Sequence, residues 1–215
     1  MRESDLKWRL PSMRGGERKI VICISGLAGS GKSTAARRIA KHYGLKLYSG
    51  GDALKAVASE MGYGVSKRGW WETESGIRFL EERLKNLDID RRVDEKMMEW
   101  AREGNVVLDS WTIPWLLREG FKIWLEASEE VRAARIAKRD GISFEEALRR
   151  MREREVKTKE IYWRLYGFRL GEDFEPFHVI LDVNNLDEDE VFEALRFAID
   201  RWFLRGATCN TLGAT

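Results

Sequence analysis

The feature that most constrains this chain is a glycine-rich segment placed between an apolar run and a helix-forming run. Residues 26–33 fit the pattern G-x-x-x-x-G-K-[ST]. Residues 19–25 are apolar and β-branched, which predicts a buried strand, and residues 34–43 favour a helix. Because glycine permits positive φ angles and close backbone approach, this order predicts a loop whose N–H groups point at bound phosphate.

The loop therefore predicts a nucleoside triphosphate site that uses ATP and Mg²⁺. Lys32 is expected to reach the β- and γ-phosphates, and the Ser33 hydroxyl is expected to bind Mg²⁺. A glycine-rich turn without a ligand is the alternative, and the flanking strand and helix argue against it. The residues predicted to bind ATP are Gly26, Ala28, Gly29, Ser30, Gly31, Lys32, Ser33 and Thr34.

Five apolar segments separated by helical patterns predict an α/β fold. The segments are residues 19–25, 45–48, 105–109, 121–125 and 177–182. Strands that alternate with helices form a parallel, doubly wound sheet with helices on both faces. Ligands bind beyond the carboxyl ends of such strands, so the glycine loop, Asp52 and Asp109 are expected on one rim.

The chain is expected to form one domain over residues 19–206. Residues 1–18 are predicted to be a flexible extension and residues 207–215 a frayed tail. Inside the domain, we expect a helical acceptor-binding flap at about residues 50–103 and a short lid at about residues 132–165.

Composition and charge exclude several classes of protein. A net charge of +2 is too small to require a nucleic-acid partner. The two cysteines, Cys23 and Cys209, provide neither a disulfide framework nor metal-ligand spacing. No apolar run approaches the length of a membrane-spanning helix, and the first residues lack an apolar signal segment. The sequence thus predicts a cytoplasmic monomer that acts on a small molecule.

Catalytic candidates outside the glycine loop are one acid and a group of arginines. Asp109 ends an apolar strand, where an acid can hold Mg²⁺ directly or through water; a capping role is the alternative. Arg132, Arg135 and Arg139 share one helix face, and they are predicted to neutralise charge on the transferring phosphoryl group. The alternative is a solvated helix held by ion pairs four residues apart.

Several segments together resemble the archaeal cytidylate kinases, within the superfamily of P-loop nucleoside monophosphate kinases. The similarity extends over roughly residues 19–200 and is most specific in the arginine-rich run. The segments that carry it are residues 26–33, 49–55, 89–94, 106–109, 123–127, 131–143 and 165–167.

The resemblance implies a three-layer P-loop kinase fold and ATP-dependent phosphorylation of CMP and dCMP. By position, Lys32 and Ser33 would handle ATP and Mg²⁺, the arginines at 132, 135 and 139 would belong to the lid, and Arg154 would assist them. Asp52 and Lys55 would begin the flap that binds the monophosphate.

The sequence departs from the family pattern where the acceptor phosphate is held. The family carries glycine and arginine after the third strand, but this chain has Ser110 and Trp111. The family arginine before Tyr162 is Ile161, and Lys55 stands where a flap arginine is typical. Lysine keeps the charge but loses the two-pronged contact with phosphate. Other basic residues are expected to compensate, namely Lys67, Arg68 or Arg78.

These departures keep two further functions open. A P-loop kinase could phosphorylate a hydroxyl of a small metabolite or RNA, with Asp52 or Asp109 as the base. A non-catalytic ATP-binding module is the other, and the lid arginines argue against it. A hydroxyl acceptor would be enclosed by tryptophans, for which the candidates are Trp70, Trp71, Trp111 and Trp115.

Overall fold

The computed structural model describes residues 19–66 and 69–208. Three predicted features lie outside these ranges: the extension of residues 1–18, the compensating Lys67 and Arg68, and the last seven residues of the tail. The strands are β1 (Val21–Ser25), β2 (Lys46–Ser49), β3 (Val106–Asp109), β4 (Phe121–Glu126) and β5 (Val179–Asp182). The helices are α1 (Lys32–Tyr43), α2 (Gly50–Glu60), α3 (Glu74–Lys85), α4 (Asp88–Glu103), α5 (Ile113–Leu116), α6 (Glu129–Asp140), α7 (Phe144–Tyr166) and α8 (Glu188–Thr208).

The five strands form one parallel sheet in the order β2-β3-β1-β4-β5, which confirms the predicted fold class. The register pairs Ile24 of β1 with Asp109 of β3, and Ser49 of β2 with the same Asp109. The phosphate loop, which we define as residues 26–33, leaves the sheet at the end of β1, between β3 and β4. This topology therefore places one nucleotide-binding motif and one acid at the same rim.

Helix ends follow the local sequence signals in most places. The Ser143 hydroxyl accepts a hydrogen bond from the N–H of Glu146, as in a capping box. Asp187 and Glu190 exchange hydrogen bonds at the start of α8 in the same way. Helix α2 is capped by Ser49, whose hydroxyl accepts from the N–H of Asp52. Asp52 therefore lies inside the first turn, where its carboxylate faces the helix dipole favourably.

Three hydrophobic clusters pack around the sheet and the lid. One lies between the sheet and helices α1 and α8, and a second lies between the sheet and helices α2, α3 and α4. The third joins Trp124 of β4 to the inner faces of α6 and α7. No helix in the described ranges is both long enough and apolar enough to cross a bilayer.

The chain from Gly69 to Gly76 adopts regular structure. Trp70–Glu72 form a 3-10 turn, and α3 begins at Glu74. Trp70 is buried in the second cluster, and its indole N–H donates to the carbonyl of Gly64 at 2.7 Å. The interpretation of Trp70 as a pocket residue was therefore wrong, because burial of its large ring fixes this segment against the flap helices.

Candidate active site

The backbone of the phosphate loop has the geometry that its glycines predict. Gly29 has a φ of +81°, and a Cβ built there would lie 2.6 Å from the carbonyl oxygen of Arg132 on α6. A Cβ on Gly26 would come equally close to the carbonyl of Leu125. Only glycine fits both positions, so the loop packs tightly against β4 and α6. Helix α1 then begins at Lys32 without a side-chain cap, which leaves its positive end toward the loop.

A cavity of about 190 Å³ opens between the phosphate loop, the flap and the lid. Its lining combines the loop with the ends of β2 and β3, the flap helices and the lid helices. Of the residues predicted for the site, those that line it are Ala28, Gly29, Lys32, Ser33, Asp52, Lys55, Asp109, Trp111, Arg139 and Arg154. Gly26, Ser30, Gly31 and Thr34 belong to the loop and first turn but do not line the cavity.

The donor end of the cavity brings Lys32, Ser33 and Asp109 together. Burial lowers the pKa of Lys32, and the nearby carboxylate of Asp109 opposes that shift. A partly buried ammonium group is well matched to phosphate oxygens, because their negative charge favours its protonated form.

The same end of the cavity has the donor set that Mg²⁺ prefers. The Ser33 hydroxyl and the buried carboxylate of Asp109 both line the cavity, and both present oxygen ligands. No cluster of three or more acidic, histidine or cysteine ligands occurs in the described part of the chain. Magnesium in phosphoryl-transfer sites typically needs only one or two protein oxygens, because substrate phosphates and water complete its shell. The residues present therefore fit this ion.

The three predicted lid arginines have different surroundings. Arg139 lines the cavity, next to Asp140 with which it pairs. Arg132 is buried, and its guanidinium donates to Glu155 and to the carbonyl oxygen of Ala28 in the phosphate loop. Arg135 donates to the carbonyl oxygens of Ser30 and Val183.

The structure thus brings one of the three arginines into the cavity. The other two hold the backbone of the phosphate loop from behind, because a guanidinium has several donors that carbonyl oxygens can accept. Glu155 does not lie on a solvated helix face, since this residue is 6 % exposed and pairs with Arg132. The sequence spacing alone could not reveal that pair, which spans two helices.

We call the wall formed by the flap, the end of β3 and Arg154 the acceptor end, because the resemblance implies acceptor binding by the flap. Asp52 and Lys55 both line the cavity. Arg78 does not line it; its side chain is 64 % exposed and lies 4.0 Å from Glu74 on the same helix. The position of Arg78 on α3 turns the side chain to solvent, so the structure does not place it with the other acceptor residues.

A buried ion pair at the acceptor end was not predicted. The guanidinium of Arg83 donates two hydrogen bonds to the carboxylate of Asp90, and both side chains are at most 3 % exposed. Arg83 also lies 3.5 Å from the hydroxyl of Tyr162 on the lid helix α7. Asp90 belongs to a segment that carries the resemblance, but its partner seven residues earlier has no motif to mark it.

A second buried carboxyl group lies beside this pair. Asp94 accepts hydrogen bonds from the hydroxyls of Thr112 and Tyr166. Burial raises the pKa of Asp94 to about 7, and the two hydroxyl donors only partly oppose that effect. The carboxyl group therefore changes charge near neutral pH while facing the cavity.

Aromatic rings alternate with cations along one wall of the cavity. The guanidinium of Arg154 lies 4.6 Å from the ring centre of Trp71 and 5.0 Å from that of Trp111. The Lys32 ammonium lies 5.5 Å from the ring centre of Trp111. The indole N–H of Trp111 donates to the carbonyl oxygen of Gly26 at 2.6 Å. This wall therefore connects the phosphate loop, the flap and the lid.

Solved structures with the same architecture define the class of the fold. A shikimate kinase from Bacteroides thetaiotaomicron matches with a TM-score of 0.54 and 15 % identity over 85 % of this chain and 99 % of that chain. The protein TT1252 from Thermus thermophilus matches with a TM-score of 0.54 and 25 % identity over 86 % of this chain and 98 % of that one. The fold is that of the P-loop kinases.

Sequence comparison gives the particular family. The sequence model of the cytidylate kinase-like family matches residues 21–185. The cytidylate kinase of Pyrococcus horikoshii is 37 % identical over 85 % of this chain and 89 % of its own length. That of Methanopyrus kandleri is 38 % identical over 84 % of this chain and 93 % of its own length. The chain belongs to the cytidylate kinase-like family of phosphotransferases, which confirms the resemblance drawn from its motifs.

Proposed function

We propose that this protein transfers the γ-phosphoryl group of ATP to a pyrimidine nucleoside monophosphate, CMP or dCMP. The observation that carries the proposal is a cavity in which donor-side and acceptor-side groups meet. Lys32, Ser33 and Asp109 line this cavity together with Asp52 and Lys55 of the flap.

On the donor side, the backbone amides of the phosphate loop and the Lys32 ammonium hold the triphosphate. Ser33 and Asp109 would hold Mg²⁺, which would supply positive charge against the phosphates. Arg139 lines the cavity beyond Lys32 and stabilises the negative charge that develops on the transferring group. The lid helices shield this region from water, which limits hydrolysis of ATP.

On the acceptor side, Lys55 and Arg154 supply positive charge for the monophosphate. The carboxylates of Asp52 and Asp94 offer acceptors for the amino group of the base or the hydroxyls of the sugar. A nucleoside monophosphate is already ionised, so its attack requires alignment more than deprotonation.

The first experiment measures ADP formed from Mg-ATP with CMP, dCMP, UMP and AMP offered separately. The blank is Lys32→Ala, and Lys41→Ala serves as the matched control because Lys41 is exposed on the same helix. We expect turnover with CMP or dCMP well above the rate without acceptor. A rate equal to that background, despite demonstrated ATP binding, would reject the proposal.

A hydroxyl acceptor, on a small metabolite or RNA, is the second candidate function. The pKa of about 7 at Asp94 favours it, because a general base works best when its pKa lies near the operating pH. The replacement of a phosphate-holding arginine by Trp111 points the same way. Screening nucleosides and small polyols for ADP formation tests it, and Asp94→Asn should then abolish most of the turnover.

A non-catalytic ATP-binding module would transfer phosphate neither to a nucleoside monophosphate nor to a hydroxyl acceptor. It would bind ATP through the phosphate loop and form no ADP with any acceptor. Light scattering during the same assays tests the proposed monomeric state. We also propose that the protein is cytoplasmic and that its acceptor is a small molecule. We propose further that it requires no nucleic acid, which the low net charge of +2 supports.

A further inference from the structure

Position 111, where the family pattern has an arginine, is a tryptophan in this chain. Another residue must therefore hold the acceptor phosphate. Lys55 provides a single point charge there. Arg83, a cavity-lining guanidinium of the flap, is already occupied by the carboxylate of Asp90. A phosphate normally recruits a planar, two-pronged guanidinium for tight binding.

Arg154 lies where such a guanidinium is needed. It projects from the lid helix α7 into the cavity, between the ring of Trp71 from the flap and the ring of Trp111 from the end of β3. An aromatic face attracts a cation without using its N–H groups, which lie in the guanidinium plane. Two rings within 5.0 Å of one guanidinium therefore hold its position in the cavity.

Each ring is itself anchored. The indole N–H of Trp111 donates to the backbone of the phosphate loop at Gly26. Trp71 packs edge-on against the buried ring of Trp70. The loop just before it touches the lid, because a Cβ on Gly69 would lie 3.1 Å from the carboxyl carbon of Asp140. The two rings thus belong to different parts of the fold, and both are held in place.

We propose that Trp71 and Trp111 are positioning residues that hold Arg154 as the clamp for the acceptor phosphate. This proposal rests on the proposed function, and it adds that the clamp is shared between flap, strand end and lid. In this arrangement Trp111 provides no charge of its own. Its ring instead orients Arg154, which belongs to helix α7. The clamp is complete only when the flap and the lid are in contact.

The test compares equilibrium binding of CMP and of cytidine to Trp71→Ala, Trp71→Phe and the parent protein. Trp163→Ala is the matched control, because Trp163 is 52 % exposed and carries Arg169 at 5.5 Å in the same kind of contact. We expect Trp71→Ala to weaken CMP binding about tenfold and to leave cytidine binding nearly unchanged. The phenylalanine variant should recover most of the loss, since it keeps an aromatic face.

Steady-state kinetics provides a second readout that general loosening of the fold would not give. The KM for CMP should rise in Trp71→Ala and in Arg154→Lys, while the KM for ATP stays close to that of the parent protein. Equal weakening of CMP and cytidine would overturn the proposal, because it would mean that the indole binds the base. Unchanged CMP binding in Trp71→Ala would also overturn it.

The clamp and the proposed function fail in different ways. If the parent protein does not phosphorylate CMP, then binding of UMP and AMP is compared with that of uridine and adenosine. A phosphate-dependent gain in affinity that Trp71→Ala removes would support the clamp and reject only the CMP assignment. If none of the three monophosphates binds more tightly than its nucleoside, the clamp is rejected as well.

Discussion

The two ends of the cavity are built from different kinds of sequence information. At the donor end, eight consecutive residues supply the glycines, the lysine and the hydroxyl that triphosphate binding requires. At the acceptor end, the wall is assembled from the flap, the end of β3 and the lid. Two of its charged residues, Arg83 and Asp90, form an ion pair with each other. A contiguous motif tolerates little change, whereas a wall made from several elements can exchange one residue for another elsewhere.

This difference explains how the chain can belong to the family without the expected acceptor arginine. The loop geometry depends on local backbone conformation, so a single substitution at Gly29 would collide with α6. The acceptor wall depends on tertiary contacts, so Trp111 can contribute through Arg154, which lies more than forty residues away in the sequence.

Removing the donor-side lysine should have the largest effect on activity. Lys32→Ala is expected to lower kcat about 1,000-fold or more, because the ammonium contacts charge that grows in the transition state. Lys41→Ala, at an exposed position on the same helix, should retain parent activity. The measurement is initial-rate ADP formation, and a loss of less than tenfold would contradict the role assigned to Lys32.

Breaking the acceptor-side ion pair should mainly reduce stability. Asp90→Ala leaves the Arg83 guanidinium buried without its partner, which is expected to cost about 3–5 kcal/mol in the free energy of unfolding. Replacing both residues with apolar side chains should recover much of the loss. Urea unfolding measures both. The exposed pair of Lys96 and Glu99 on helix α4 is the matched control, and Glu99→Ala should produce no measurable change.

If Asp90→Ala were as stable as the parent protein, the pair would have no structural role. The acceptor wall would then have to be held by its hydrophobic contacts alone. Activity measured on the same variant separates the two ends of the cavity, because ATP binding should persist wherever the protein remains folded.

Asp94 should make stability depend on pH in a defined direction. Its pKa is raised to about 7 in the folded state, so the folded protein binds this proton more tightly than the unfolded chain. The stability that this group contributes is fully present below about pH 4 and is lost as the pH rises through 7. Each tenfold difference in proton affinity between the folded and unfolded states corresponds to about 1.4 kcal/mol of that stability.

Asp94→Asn should therefore gain stability relative to the parent protein between pH 4.5 and pH 7.5. Urea unfolding at these two values measures the change, with Asp88→Asn on the same helix as the control, because the Asp88 side chain is 61 % exposed. A constant difference between Asp94→Asn and the parent protein would show that the carboxyl group titrates normally.

Arg78 should give the smallest effect. Its side chain is 64 % exposed and lies 4.0 Å from Glu74, outside the cavity. Arg78→Ala is expected to leave the KM for CMP and the KM for ATP within about twofold of the parent values. A large rise in the KM for CMP would show that the flap moves Arg78 inward during turnover, and it would restore the role that the sequence suggested.

Local sequence patterns were enough to predict the succession of strands and helices along the chain, the phosphate loop and the position of Asp109 at the end of β3. These features depend on local patterns: apolar runs form strands, and glycines permit the loop conformation at Gly29 and Gly31. The helix caps at Ser143 and Asp187 also depend on local sequence, because their partners lie three residues further along the chain. The family resemblance rested on the same contiguous segments.

The set of charged side chains that face the cavity depends on how the helices pack against one another. Arg132, Arg135 and Arg139 share one helix face, yet one lines the cavity while the other two hold the phosphate loop from behind. Partners such as Glu155 for Arg132 and Trp71 for Arg154 lie on separate elements. Burial and pairing depend on how those elements pack, and no spacing within one segment encodes that packing.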